Sequence, residues 1–77
     1  MGAVDEYRDA WAREDYSTAF KLAVKILNRK GSKNLMYSWA EECVKCLRAL
    51  GKLDLLPDNF SQLSAYGRRE ELNKLTL

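Results

Sequence analysis

The chain has 77 residues, of which 47% are apolar and 31% are charged, and its formal net charge is +2. This composition is typical of a helical globule and excludes a disordered tail, while the length allows one domain with no large pocket and with marginal stability in the absence of a partner. The sequence has no apolar run of about 18 residues, and its amino-terminal segment is acidic where a secretory signal is basic and then apolar. We therefore expect a cytoplasmic protein that does not associate with a membrane.

The charge is distributed unevenly along the chain. Residues 1–15 carry five acidic and two basic side chains, whereas residues 16–40 carry five basic side chains and no acidic one. This asymmetry matters more for the choice of partner than the total charge does. An acidic first helix is therefore expected beside a basic second one.

The spacing of apolar side chains predicts four or five helices and no strand. The first helix is expected over about residues 3–13, because Val4, Tyr7 and Trp11 recur at offsets of three and four. Asp15 is a candidate N-cap for a second helix that reaches about Arg29. The apolar side of this second helix consists of Tyr16, Ala19, Phe20, Ala23, Ile26 and Leu27.

Gly31 marks the end of the second helix, since glycine can take the positive φ that often follows a helix C-terminus. Ser32 is a candidate N-cap for a third helix that reaches about Leu50, and Gly51 closes that helix. The apolar side of the third helix consists of Met36, Trp39, Cys43, Cys46 or Leu47, and Leu50. We expect this helix to be the longest and the most central.

The last quarter of the chain is divided by Pro57, which should stop the short apolar connection before it. Beyond the proline, the spacing of Phe60, Leu63 and Tyr66 favours one or two helical turns, which Gly67 is expected to interrupt.

A final helix is predicted over residues 68–75, with Leu72 and Leu75 directed inward. Glu70 is expected to pair with Lys74 at i,i+4. The fold class predicted from these elements is all-α, a small antiparallel helical-hairpin bundle in one domain.

Residues 10–27 combine the end of one helix, a tight turn and a second helix with small residues on its inner side. The positions that carry this pattern are Trp11, Asp15, Tyr16, Ala19, Ala23 and Leu27. The stretch resembles the tetratricopeptide repeat (TPR), a helical hairpin that stacks on its neighbours. Glu14 departs from the pattern, because the family usually has Gly at that turn position. The resemblance implies a TPR-like fold that binds peptides or proteins and does not catalyse a reaction.

A second, weaker match to the same pattern begins at Leu47, in the residues L-R-A-L-G-K-L-D-L-L. Aligning Glu14 with Gly51 gives a spacing of 37 residues, against about 34 in the family. Pro57 interrupts the second unit, so that at best one and a half units fit, and an unrelated helical bundle is the alternative. Because stacked repeats need about three units for a continuous core, we expect a homodimer or a tight complex with a larger partner.

Cys43 and Cys46 form a C-x-x-C pair, a spacing that serves zinc or redox chemistry in other settings. Here both cysteines fall within a predicted helix, where an offset of three places them on one apolar face. The chain has no His and no other Cys, so a zinc site would need Glu42 or a second chain. We therefore interpret both as small buried side chains with free thiols, which suits a reducing compartment, and we expect no cofactor.

A basic stripe on the second helix is the most specific candidate for a functional site in the sequence. It consists of Lys21, Lys25 and Arg29 at four-residue intervals, extended by Lys30 and Lys33. Such a stripe suits the phosphates of a nucleic acid or an acidic protein surface. The alternative is a solvated face that acidic side chains of the first helix partly neutralise.

Most aromatic side chains are expected in the core or between the helices of a hairpin: Tyr7, Trp11, Trp39 and Tyr66. Tyr37 is the exception, since it lies beside the apolar stripe of the third helix and next to Lys33, where an exposed ring would be an interface hot spot. Arg68 and Arg69 are expected at a solvated helical end, with contact to a partner as the alternative.

Groups suited to catalysis are scarce in the sequence. The chain has no His and no Gly-rich phosphate loop, and its paired glutamates are adjacent, so that they diverge around a helix. We therefore predict a non-enzymatic protein–protein interaction module, of the adaptor, inhibitor or chaperone-like kind, that binds a macromolecular partner through a helical face. The alternative is a nucleic-acid-associated helical protein that uses the basic stripe.

Overall fold

The structure is a computed structural model that describes residues 2–77. Its α-helices are α1 (Ala3–Ala12), α2 (Tyr16–Arg29), α3 (Lys33–Ala49) and α4 (Ala65–Asn73), and two short 3₁₀ turns lie between α3 and α4 (Leu53–Leu55 and Phe60–Gln62). No strand occurs within the described range. The all-α fold class is therefore confirmed. No helix of residues 2–77 is both long enough and apolar enough to cross a bilayer.

Side-chain caps fix where three of the helices begin. Asp15 accepts a hydrogen bond from the Thr18 amide (3.3 Å), and this bond lowers the pKa of the Asp15 carboxyl. The Ser32 hydroxyl accepts from the Leu35 amide (3.1 Å), and Ser64 caps α4 in the same way. A cap satisfies amides that the first helical turn leaves without partners. The predicted N-caps Asp15 and Ser32 are confirmed.

Two tight turns of the same geometry end α1 and α3. Glu14 has a φ of 59° and Gly51 a φ of 70°, both in the left-handed region. After α1, the Asp15 amide donates to the Ala10 carbonyl (2.9 Å); after α3, the Lys52 amide donates to the Leu47 carbonyl (2.8 Å). These six-to-one hydrogen bonds define a Schellman motif at each helix end. Glu14 thus takes the backbone conformation that favours glycine.

Three local predictions are wrong. Gly31 does not take a positive φ, because Lys30 already leaves α2 in an extended conformation (φ −86°, ψ 135°). Gly67 does not interrupt a helix: it lies in the first turn of α4, where its amide donates to the capping hydroxyl of Ser64. Lys74 pairs with Glu71 (2.9 Å) and not with Glu70, since the i,i+3 neighbour is the closer one here.

Successive helices pack against one another, and side chains of α1 also reach α3. Within each hairpin the helices are antiparallel, and α2 contacts each of the other three. The core is made of side chains from all four helices and from the second 3₁₀ turn: Tyr7, Ala10, Ala19, Phe20, Ala23, Ile26, Leu27, Met36, Ala40, Cys43, Cys46, Leu47, Phe60, Ala65 and Leu72. Trp11, which the sequence placed in the apolar stripe of the first helix, is 37% exposed, because Ala10 takes the inward position.

The segment between α3 and α4 is irregular and is held by Arg68. Its guanidinium donates to the carbonyls of Leu63 (3.0 Å) and Ser61, and it lies 3.7 Å from the Glu41 carboxylate. Phe60 is the buried anchor of this segment. Pro57 follows the first 3₁₀ turn, and the α-helix that pairs with α3 begins only at Ala65, as α4.

Candidate functional site

A groove runs between α1 and α3 on one face of the molecule. Two adjoining hollows of about 340 and 310 Å³ share Tyr7, Arg8 and Glu42 and together form it. Its remaining lining consists of Val4, Trp11, Ala12, Ser38, Trp39 and Lys45. Because Val4 shares one hollow with Ser38 while Trp11 shares the other with Lys45, the two walls run parallel. We call this feature the α1/α3 groove.

A chain of polar contacts fixes the floor of the α1/α3 groove. The Tyr7 hydroxyl donates to Glu42 Oε1 (2.8 Å), and Lys45 Nζ donates to Glu42 Oε2 (3.1 Å). Burial, together with the hydrogen bond to Glu42, holds the pKa of the Tyr7 phenol far above its ordinary range. The Tyr7 ring is therefore neutral and fixed in place, and the Glu42 charge is already balanced.

Aromatic rings continue from the groove floor to its rim. Tyr7 meets Trp39 edge to face, with 5.3 Å between ring centroids, and Trp11 meets Tyr16 in the same way at 4.9 Å. The centroids of Tyr7 and Trp11 are 6.3 Å apart, which links the two pairs into one row. Such contacts hold large apolar rings rigid, so that little side-chain entropy remains to be lost on binding. Trp11 lies between Tyr7 and Tyr16 in this row and is its most exposed ring.

Arg8 supplies the one unbalanced charge of the α1/α3 groove. It is exposed on α1, and it forms no ion pair with any residue that the structure describes. Glu42 and Lys45, the other two charged residues of the lining, neutralise one another. The groove is therefore apolar along its length, with a positive charge on one wall.

The predicted basic stripe lies on α2, outside the α1/α3 groove. Lys21, Lys25 and Arg29 are exposed, as is Lys33, whereas Lys30 is half-buried. None of these five side chains forms an ion pair within residues 2–77, so the acidic side chains of α1 do not neutralise the stripe by direct contact. The structure brings the stripe together as a surface and leaves its charges facing solvent.

Tyr37, the candidate interface residue beside the apolar stripe of α3, contacts Arg68 of α4. It is half-buried, and the Arg68 guanidinium lies 4.8 Å from its ring centroid. Arg68 likewise is held between α3 and α4 and is not at a solvated helical end. Tyr66, predicted to be in the core, is instead 49% exposed, with the Arg69 guanidinium 5.4 Å from its ring centroid.

Cys43 and Cys46 are free and fully buried. Burial raises the pKa of both thiols, so the reactive thiolate is disfavoured. The Cys46 sulfur lies 3.9 Å from the Tyr7 hydroxyl, and no group of three or more candidate metal ligands assembles within residues 2–77. Both cysteines act here as small core side chains.

Sequence reasoning missed the α1/α3 groove because apolar periodicity identifies the inner side of each helix but not which helices become neighbours. The sequence does show several large rings, Tyr7 and Trp11 on the first helix and Trp39 on the third, but not that these two helices are neighbours. Comparison with protein families, characterised proteins and solved structures found no match to this chain. The TPR resemblance stays a prediction.

Proposed function

We propose that this protein is a small interaction module that binds a segment of a partner polypeptide in the α1/α3 groove. The observation that carries the proposal is the row of packed aromatic rings in which Trp11 is exposed to solvent. Tryptophan is among the residues most enriched at binding hot spots, and a fixed apolar groove loses little entropy when it is filled. The module acts by binding and without a cofactor, in a reducing, cytoplasmic setting that suits its free thiols.

The charges of the groove define the chemistry of the partner segment. Arg8 is unbalanced while Glu42 and Lys45 are paired, so an acidic side chain on the ligand gains a new contact only at Arg8. The best ligand therefore has a large apolar residue for the aromatic row and a carboxylate placed to reach Arg8. Its affinity should depend mainly on apolar contact and only mildly on salt.

Selection of ligands from a library of short random peptides tests this proposal. The selected peptides should be apolar with an acidic residue, and they should bind the wild-type chain with a shift in tryptophan fluorescence. Trp11→Ala should weaken binding by about thirtyfold, the size of a hot-spot effect. Arg8→Ala should weaken binding less, and only for peptides that contain an acidic residue.

Tyr66→Ala is the matched control, because Tyr66 is an exposed aromatic residue outside the groove. This variant should bind the selected peptides as the wild type does. If the library yields no binder, or if the binders tolerate Trp11→Ala, the groove is not the binding site. Circular dichroism of each variant would establish that the helices remain intact.

A further inference from the structure

A second surface lies where α2 meets α4. Asn28 and Asn73 form a reciprocal amide pair across these helices: Asn28 Nδ2 donates to Asn73 Oδ1 (2.7 Å) and Asn73 Nδ2 donates to Asn28 Oδ1 (2.9 Å). Arg68 of α4 lies against Tyr37 and Glu41 of α3, further from the α2–α3 connection than Asn73 is. Helix α4 is therefore antiparallel to α3 and parallel to α2.

The register of α2 and α4 brings an aromatic ring to the basic stripe. Lys21 lies seven residues before Asn28, and Tyr66 lies seven residues before Asn73, so each shares the helix face of its asparagine two turns away. Because the asparagines touch and the helices are parallel, this register predicts that Tyr66 lies beside Lys21. The sequence alone did not place Tyr66 beside the basic stripe.

The charges of this surface are predominantly positive and unpaired. Lys21, Lys25 and Arg29 come from α2, and Arg69 from α4 lies over the Tyr66 ring. None of the four forms an ion pair within the part of the chain that the structure describes. Two acidic side chains lie on α4: Glu71 is already paired with Lys74, and Glu70 is exposed. We call the four cations and Tyr66 the α2/α4 surface.

We propose that the α2/α4 surface binds single-stranded nucleic acid. The cations at successive turns of α2 follow a phosphate backbone, while the half-exposed Tyr66 offers a ring on which an unpaired base stacks. Base–aromatic stacking tolerates any base, because every base has a π-face. A duplex keeps its bases inside, so it gains only the electrostatic part of this interaction.

The expected affinity is modest and depends strongly on salt. For a single strand, the slope of the logarithm of the binding constant against the logarithm of the salt concentration is about −0.7 for each phosphate that the protein neutralises. Four cations therefore predict a slope of about −2 to −3. The site is separate from the α1/α3 groove, because the two surfaces share no residue. Binding to nucleic acid therefore does not depend on the proposed peptide binding.

Fluorescence anisotropy with a labelled single-stranded RNA of about 12 nucleotides, compared with a duplex of the same length, tests the inference. The wild-type chain should bind the single strand more tightly, with the salt slope given above. A Lys21→Gln, Lys25→Gln, Arg29→Gln variant should lose at least tenfold in affinity at low salt and show a shallower slope. Tyr66→Ala should weaken binding to the single strand but not to the duplex, and Tyr66→Phe should restore it.

The matched control removes the same amount of charge elsewhere: Arg13→Gln, Arg48→Gln and Lys52→Gln, at exposed positions outside the surface. It should retain most of the affinity, and Trp11→Ala should retain all of it. Equal losses in the two triple variants, or unchanged binding by Tyr66→Ala, would overturn the proposal. So would displacement of the RNA by polyglutamate at the same charge concentration, since the surface would then fit an acidic protein instead.

Discussion

Glu14 and Gly51 occupy equivalent left-handed positions, and only one of them is a glycine. An L-residue in this region is strained by about 1–2 kcal/mol relative to right-handed conformations, whereas glycine is not. Glu14 is exposed and has no hydrogen-bonded side chain within residues 2–77. The residue can therefore be changed without loss of a side-chain contact, while the backbone hydrogen bonds of the turn remain.

We expect Glu14→Gly to stabilise the fold by about 0.5–1 kcal/mol, because the relief of strain exceeds the extra entropy of glycine in the unfolded chain. Gly51→Ala should destabilise it by about 1 kcal/mol for the opposite reason. Urea denaturation followed by circular dichroism measures both changes.

Gly31→Ala serves as the control for these two substitutions. Gly31 has no positive φ, and a Cβ added there would meet no atom within 4 Å. This variant should be as stable as the wild type or slightly more stable. If Gly51→Ala behaves in the same way as Gly31→Ala, the left-handed turn after α3 is not needed by the fold.

At the scale of elements, the segment between α3 and α4 depends on one side chain. Arg68 joins the Leu63 and Ser61 carbonyls to Glu41 of α3 and covers Tyr37. We expect Arg68→Ala to destabilise the protein by about 2 kcal/mol, since hydrogen bonds that involve a charged group contribute about 1.5–3 kcal/mol. Arg68→Lys should not restore the loss, because an ammonium lacks the planar fork that reaches both carbonyls.

Hydrogen exchange would locate the effect of Arg68→Ala. Amides of residues 51–64 should exchange faster, while those of the α1–α2 hairpin should keep their protection. Arg69→Ala is the control, because Arg69 lies over the ring of Tyr66 and forms no ion pair within residues 2–77. A uniform loss of protection along the chain would mean that Arg68 stabilises the whole fold and not this segment.

The elements differ in how far the sequence determined them. Helices α1 to α3 end within one residue of their predicted limits, because Asp15, Ser32 and Gly51 act through local hydrogen bonds that are visible in the sequence. Helix α4 begins three residues earlier than predicted, since the Ser64 cap outweighs the low helix propensity of Gly67. Local chemistry thus predicted most of the helix boundaries.

The candidate sites required knowledge of which helices are neighbours. The basic stripe followed from the four-residue spacing on one helix, and the structure places it as a surface. The α1/α3 groove and the position of Tyr66 depend on contacts between helices about 35 and 45 residues apart along the chain. A single sequence carries no signal for such pairings, because periodicity reports on one helix at a time.

At the scale of the whole molecule, buried groups that keep their protons link stability to pH. Burial raises the pKa of Cys43, Cys46 and Tyr7, so the folded chain retains protons that the unfolded chain releases above about pH 8.5 for thiols and about pH 10 for tyrosine. The unfolded state then binds fewer protons, and the free energy of unfolding falls as the pH rises. Below about pH 8 this contribution is complete.

We expect the free energy of unfolding to fall by up to about 1.4 kcal/mol per pH unit for each such group above its unfolded pKa. Urea denaturation in a reducing buffer between about pH 7 and pH 10 measures the slope. A Cys43→Ala, Cys46→Ala variant should be less stable at neutral pH, because it leaves cavities, but should show a flatter slope. An equal slope in this variant would mean that the thiols do not remain protonated in the fold.

The Asn28–Asn73 pair has a consequence for every experiment in which salt or pH is varied. Neither amide titrates or carries a net charge, and each both donates and accepts. Ionic strength screens the contacts of Lys and Arg but leaves this link between α2 and α4 almost unaffected. A salt titration therefore weakens the electrostatic interactions of the cations on α2 and α4, while the hydrogen bonds between Asn28 and Asn73 persist. The effect of salt on binding can then be separated from an effect on the contact between the two helices.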